Sequence, residues 1–92
     1  MDDYSIVYRL HAIQRMIERN VSTDDLGNII KKGKIIEKYK NDSPYSSRLI
    51  LGQANNRPLH VVITDNTTDK KAVVITVYEP DPRKWKKNEE RR

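Results

Sequence analysis

Apolar residues recur at helical spacing in the first third of the chain and in short β-rich runs afterwards, and the period changes once, at Gly33. Around HAIQRMIERN, Leu10, Ile13, Met16 and Ile17 gather on one side of a helix at about 100° per residue, while His11, Arg15 and Glu18 stack on the other. This predicts a first helix from Tyr8 to Arg19, stopped by Asn20, a residue that tolerates positive φ. VSTDDLGNIIKKG predicts a second helix: Ser22 as N-cap, Asp25 three residues on, Lys31 and Lys32 in the last turn and Gly33 beyond. Leu26, Ile29 and Ile30 then form a seam against the first helix.

Beyond Gly33, GKIIEKYK, SRLILGQ, PLHVVIT and KAVVITVYE read as four strands. The connections NDSPYS, ANNR and DNTTDK are short enough for hairpins. The expected fold is α+β, with two N-terminal helices packed on one face of a four-stranded, mainly antiparallel sheet. PDPRKW is expected to start a short C-terminal helix, with Asp81 as cap and Pro82 at its first position, before a frayed end. Alternation assigns Leu49, Leu51, Leu59, Val61, Ile63, Val73, Ile75 and Val77 to the helix-facing layer. It assigns Arg48, Ile50, His60, Val62, Thr64, Val74, Thr76 and Tyr78 to the opposite layer. A last hairpin centred near Asp69 sets His60 opposite Tyr78 and Val62 opposite Thr76, so that an imidazole and a phenol adjoin.

Composition narrows the chemistry. Ninety-two residues suit one domain, 1–92, and the absence of Cys removes disulfides and thiolate chemistry. The acidic start MDDYSIVYRL and the lack of a long apolar run suggest a soluble, cytoplasmic protein without a membrane span. Eighteen Lys and Arg against 13 Asp and Glu give a formal charge of +5, which favours a polyanion such as nucleic acid. Two histidines without Cys and without an HExxH-like spacing imply no metal site, and three dispersed glycines make no phosphate loop, so no cofactor is expected. Ser46 and Ser47 lie in a turn-like stretch without a nucleophile elbow.

The order HAIQRMIERNVS, GKIIEKY, SPYSSRLILG, RPLHVVIT and VVITVYEPDPRKW resembles the prokaryotic family called domain of unknown function 4258, from about Leu10 to Trp85. More distantly it resembles metal-independent ribonuclease toxins of the RelE, ParE and MqsR type, whose helices precede an antiparallel sheet and which pair with an antitoxin. The family pattern, carried over, points to His11, Arg15 and Arg19 in the helix, Tyr45 and Arg48 at the second strand, His60 in the third, and Tyr78 with Glu79 and Pro80 at the end of the fourth. The chain departs from that pattern at two helix ends: Arg9 stands where a Ser or Thr cap is expected, and Asn20 where Gly is expected.

On this reading the protein cuts RNA by attack of the 2′-hydroxyl, with ribosome-bound messenger as one form of substrate. His11 and His60 serve as acid and base in either order, Arg15 and Arg48 hold the phosphate, and Tyr78 transfers a proton or stacks on a base. Glu18 orients an imidazole or pairs with Arg15. Two rivals use the same residues without catalysis: a nucleic-acid binder contacting phosphate and stacking Tyr45 or Tyr78 on a base, and a module that receives a partner protein such as an antitoxin.

Overall fold

The structure, a computed structural model, describes residues 5–42 and 44–92. Met1–Tyr4, the first part of the start read above, and Ser43 within NDSPYS lie outside the described residues. The elements are β1 (Ser5–Tyr8), α1 (Leu10–Glu18), α2 (Thr23–Lys32), β2 (Lys34–Tyr39), β3 (Ser47–Ala54), β4 (Arg57–Asn66), β5 (Lys71–Tyr78), β6 (Trp85–Lys86) and β7 (Glu90–Arg91). β1 to β5 form one sheet in the order β1-β5-β4-β3-β2, and β6 with β7 form a separate two-stranded hairpin. The α+β class holds, and β2 to β5 pair antiparallel as a meander.

Four expectations are corrected. The sheet has five strands rather than four, because SIVY pairs in parallel with β5, from Ser5 opposite Lys71 to Tyr8 opposite Val74. Tyr8 therefore belongs to a strand, and α1 begins after it, anchored where the Arg9 N–H donates to the Val74 carbonyl. No helix follows PDPRKW: Asp81 caps a tight turn by accepting from the Arg83 N–H at 2.9 Å, and the chain then forms the β6–β7 hairpin in place of a frayed end. The helices do not share a seam as their main contact; α1 lies on β5 and α2 on β3.

Local chemistry explains the elements that were foreseen. Ser22 and Asp25 form a reciprocal capping box at 3.0 Å each way, satisfying two N–H groups at the start of α2. Asn20 has φ 55° and ends α1, whose C-terminal carbonyls at Arg19 and Asn20 accept from Arg57 and from Asn55. Gly33 and Gly52 let α2 lie close on β3: a Cβ on Gly52 would sit 2.6 Å from Ile29.

The faces of the sheet differ from the simple alternation. Asn55 and Asn56 both have positive φ, forming a two-residue turn that pairs Ala54 with Arg57 and hence Ile50 with Val61. Cross-strand partners face the same way, so Ile50 joins Val61 beneath the helices, and Leu49 and Leu51 turn to the other face. In β5 an extra residue, Ile75, breaks the register between Val62 opposite Thr76 and Ile63 opposite Val74. That bulge carries Val74 and Ala72 into the helix-side core and leaves Val73 and Ile75 outside it. The core is Ala12, Met16, Val21, Leu26, Ile29, Ile50, Ala54, Leu59, Val61, Ile63, Ala72, Val74 and Val77. α1 meets it through Ala12 and Met16, so Leu10 and Ile17, expected to be inward, are 71% and 75% exposed.

Candidate functional site

The face away from the helices carries the clustered ionisable groups. β4 and β5 set His60 directly opposite Tyr78, as expected, and place both on the side away from Val61 and Val77. His60 is fully buried all the same, with a relative exposure of 0%. The C-terminal hairpin lies over it, with the Trp85 ring edge-on at 4.5 Å and the Asn88 carbonyl 2.7 Å from Nε2. A carbonyl only accepts, so Nε2 carries the proton and Nδ1 accepts the Tyr78 hydroxyl at 3.1 Å. Both imidazole nitrogens are thus occupied within the chain.

β2 supplies the next residues on this face. Its bulge at Ile36 brings Glu37 opposite Leu49 and Tyr39 opposite Ser47. Arg91 of β7 clamps the Glu37 carboxylate in a two-pronged bond, Nε at 2.9 Å and Nη2 at 3.1 Å, and lies 4.6 Å over the Trp85 ring. Tyr39 also donates to Glu37. The result is a continuous group of His60, Tyr78, Trp85, Arg91, Glu37 and Tyr39. Sequence reasoning missed the last four, because they come from an edge strand and a tail read as a short helix with a frayed end; only the aromatic-cation pattern of KWKKNEERR hinted at the order found there.

The surroundings shift these groups in consistent ways. Burial pushes His60 below the ordinary histidine range, against the Asn88 bond and the Glu37 charge, which favour the cation; Arg91 opposes it. Burial raises Tyr78, and burial with the Glu37 bond raises Tyr39. Burial also disfavours ionised Glu37, but the bonds from Arg91 and Tyr39 outweigh it and hold the carboxylate below its usual range. Arg91 is raised by the same pairing with Glu37. At neutral pH this is a neutral imidazole–phenol pair beside a tightly held ion pair.

The remaining site residues lie elsewhere. His11 is exposed in the first turn of α1, on the helix side of the sheet, so it and His60 do not face a common cleft. The two imidazoles could flank one phosphate only if both reached it from one side, and the sheet stands between them. Glu18 is held by Arg15 at 3.0 Å and by Arg19 at 3.7 Å, a surface cluster on α1 rather than an orienting group for either histidine. Arg48 does not join His60 and Tyr78, because its register partner is the helix-facing Ile63; it makes a fork to Asp65 at 2.9 and 3.1 Å. Tyr45 donates to Thr68 Oγ1 at 3.0 Å, tying two loops together.

Among the described residues, no group of three His, Cys, Asp or Glu is placed to hold a metal, and no helix is long and apolar enough to cross a membrane. A different electrostatic feature stands out along the β2 edge. Lys31, Lys32, Lys38 and Lys40 have no ion-pair partner among the described residues, whereas Lys34 is paired with Glu89. Lys38 and Lys40, with Ile35, Ser46, Ser47, Arg48 and Asp65, line a pocket of about 410 Å³. Lys32 and Lys34 line another, of about 450 Å³, at the opposite end of β2.

No curated protein and no solved structure matches the chain. The family model described as Domain of unknown function (DUF4258) matches residues 8–79, from the end of β1 to the residue after β5, leaving the C-terminal hairpin outside the match. The chain belongs to the DUF4258 family, and both helices, strands β2 to β5 and the His60–Tyr78 pair fall within the matched part.

Proposed function

We propose that this domain binds the phosphate backbone of RNA along its β2 edge. The observation that carries the reading is the group of lysines around an edge strand: Lys31 and Lys32 at the end of α2, Lys38 in β2 and Lys40 after it, none of which makes an ion pair among the described residues. An edge strand is the one part of a sheet that a ligand can approach along its length, and unpaired lysines release counterions when they meet phosphate. The formal charge of +5 supports the same reading.

Cutting by an imidazole pair is less well supported, since His60 is covered and His11 lies on the helix side. Likeness to the RelE type rests on two helices before the antiparallel strands β2 to β5, and the parallel β1 ahead of the helices departs from it; the antitoxin partner, the cytoplasmic location and ribonuclease activity go with that likeness and with the cleavage reading. Binding of a fluorescent single-stranded RNA should weaken linearly in log K against log salt, with about 0.7 of slope per phosphate contact. Replacing Lys38 and Lys40 by Gln should lower the slope by roughly 1.4. Absence of binding at low salt, or an unchanged slope in the double variant, would refute the assignment. RNA cleavage that persists in chelator and disappears in His11→Ala would restore the nuclease reading.

A further inference from the structure

We infer that the C-terminal hairpin is an acid-released latch, which leaves the sheet as a unit when His60 takes up a proton. The inference stands apart from the phosphate-binding reading, because it concerns the opposite end of the residues' chemistry: what covers the His60 face and what uncovers it.

Three observations carry it. First, the hairpin is a sheet of its own, with no ladder to β1–β5, so its release breaks no strand pairing of the body. What holds it are side-chain and single backbone contacts: Trp85 on His60, the Asn88 carbonyl on Nε2, Arg91 on Glu37, and Glu89 on Lys34. The Lys34–Glu89 pair is largely exposed and contributes little, so the Arg91–Glu37 fork is the main ion pair that holds the hairpin. Second, the segment leading to it, Pro80-Asp81-Pro82, turns on Asp81, which accepts from Arg83 and from the N–H groups of Lys84 and Trp85, while the Pro82 carbonyl accepts from Arg92 at the hairpin's own end. Opening at this point disturbs no helix or strand.

Third, the neutral state of His60 is written into its contacts. Nε2–H is fixed by Asn88 and Nδ1 by the Tyr78 O–H, so a second ring proton has no acceptor until Tyr78 turns its own hydroxyl away. The groups facing the ring are Tyr78 from β5, Glu37 and Tyr39 from β2, and Trp85, Asn88 and Arg91 from the hairpin. Glu37 favours the imidazolium but is already clamped by Arg91, whose own charge opposes it. Moving the hairpin rehydrates the ring and gives the second proton a water acceptor. The sign follows from linkage: the docked form binds the proton less well than the open form, so docking is full above the ordinary histidine pKa of about 6.5 and weakens below it, by up to about tenfold in the docking equilibrium per pH unit. Opening uncovers His60, Tyr78 and Glu37 together.

Trp85 is the only tryptophan of the chain and is almost fully buried, so the full-length protein carries its own reporter. Acrylamide quenching of its fluorescence, followed from pH 8 to 5 beside far-ultraviolet circular dichroism, should rise severalfold while the dichroism stays constant. His60→Gln should abolish that rise, Arg91→Gln should move it to higher pH, and His11→Gln should leave it in place. In the unmodified chain, the His60 ring signals in proton NMR should titrate with the same midpoint as the quenching, a check that does not depend on any variant folding. Trp85 exposure that appears only as the dichroism collapses, that survives unchanged in a folded His60→Gln, or whose midpoint differs from that of the His60 ring would overturn the latch.

Discussion

The two faces of the one sheet are covered in opposite ways. Under the helices, Leu59, Val61, Ile63, Val74 and Val77 are fully buried against apolar neighbours, and the cover is joined to the sheet by anchors at several places, from Arg9 on Val74 to Arg57 on Arg19. On the other face the cover is a single small hairpin seated on polar and aromatic groups, His60, Tyr78, Glu37 and Tyr39. An apolar interface is non-directional and contributes in proportion to area, whereas a polar one depends on a few bonds being made at once. The first face holds the fold; the second holds a state of protonation.

The difference can be broken most forcefully from the helix side. Leu59→Ala removes a fully buried side chain from the middle of that core and should cost about 3 kcal/mol, lowering the thermal midpoint by roughly 10–20 °C in a calorimetric or dichroism melt. A drop of only a few degrees would mean that the core collapses around the gap. At the open end of the same face, Arg48→Met should cost about 2 kcal/mol by leaving Asp65 without its fork in a partly buried place, measured by urea unfolding.

The hairpin side should respond less in the melt and more in local probes. Trp85→Ala should lower the midpoint of the sheet by only a few degrees, because its loss cannot exceed the free energy of docking, yet it should greatly speed hydrogen exchange at the Asn88-side amides of the hairpin. A Trp85→Ala melt as depressed as that of Leu59→Ala would erase the distinction between the faces. Smallest of all, Glu18→Gln on exposed α1 should change stability by under about 0.5 kcal/mol, with the change vanishing in high salt.

What could be read from the sequence was what short range decides. The capping box at Ser22 and Asp25 is visible as letters three apart, and the His60–Tyr78 pairing is reached from a turn centred near Asp69, although the chain makes it with a turn half a residue earlier and the bulge at Ile75. LILG was harder, since Leu49, Ile50 and Leu51 are all apolar and alternation alone cannot choose between them. The deciding signal was present in Asn55-Asn56, a dipeptide suited to two consecutive positive φ values and hence to a two-residue turn that fixes the register. The rotation of α1 was hidden because Ala12 reads as neutral in a hydrophobic count, although its small size lets the helix settle on β5 and sends Leu10 and Ile17 outward. The His60 site was half legible: β4 and β5 were placed, but Glu37 and Arg91 are 54 positions apart and meet through a bulge and a tail turn that no periodicity announces.

The parallel seat of β1 has a consequence for the order of assembly. β2 to β5 can zip up by successive hairpins between near neighbours, but Ser5 finds its partner only at Lys71, across nearly the whole length of the sheet-forming chain. During synthesis, β1 must wait for β5, which is made after every other strand of that sheet. α1, whose first turn hangs from Val74, must wait with it.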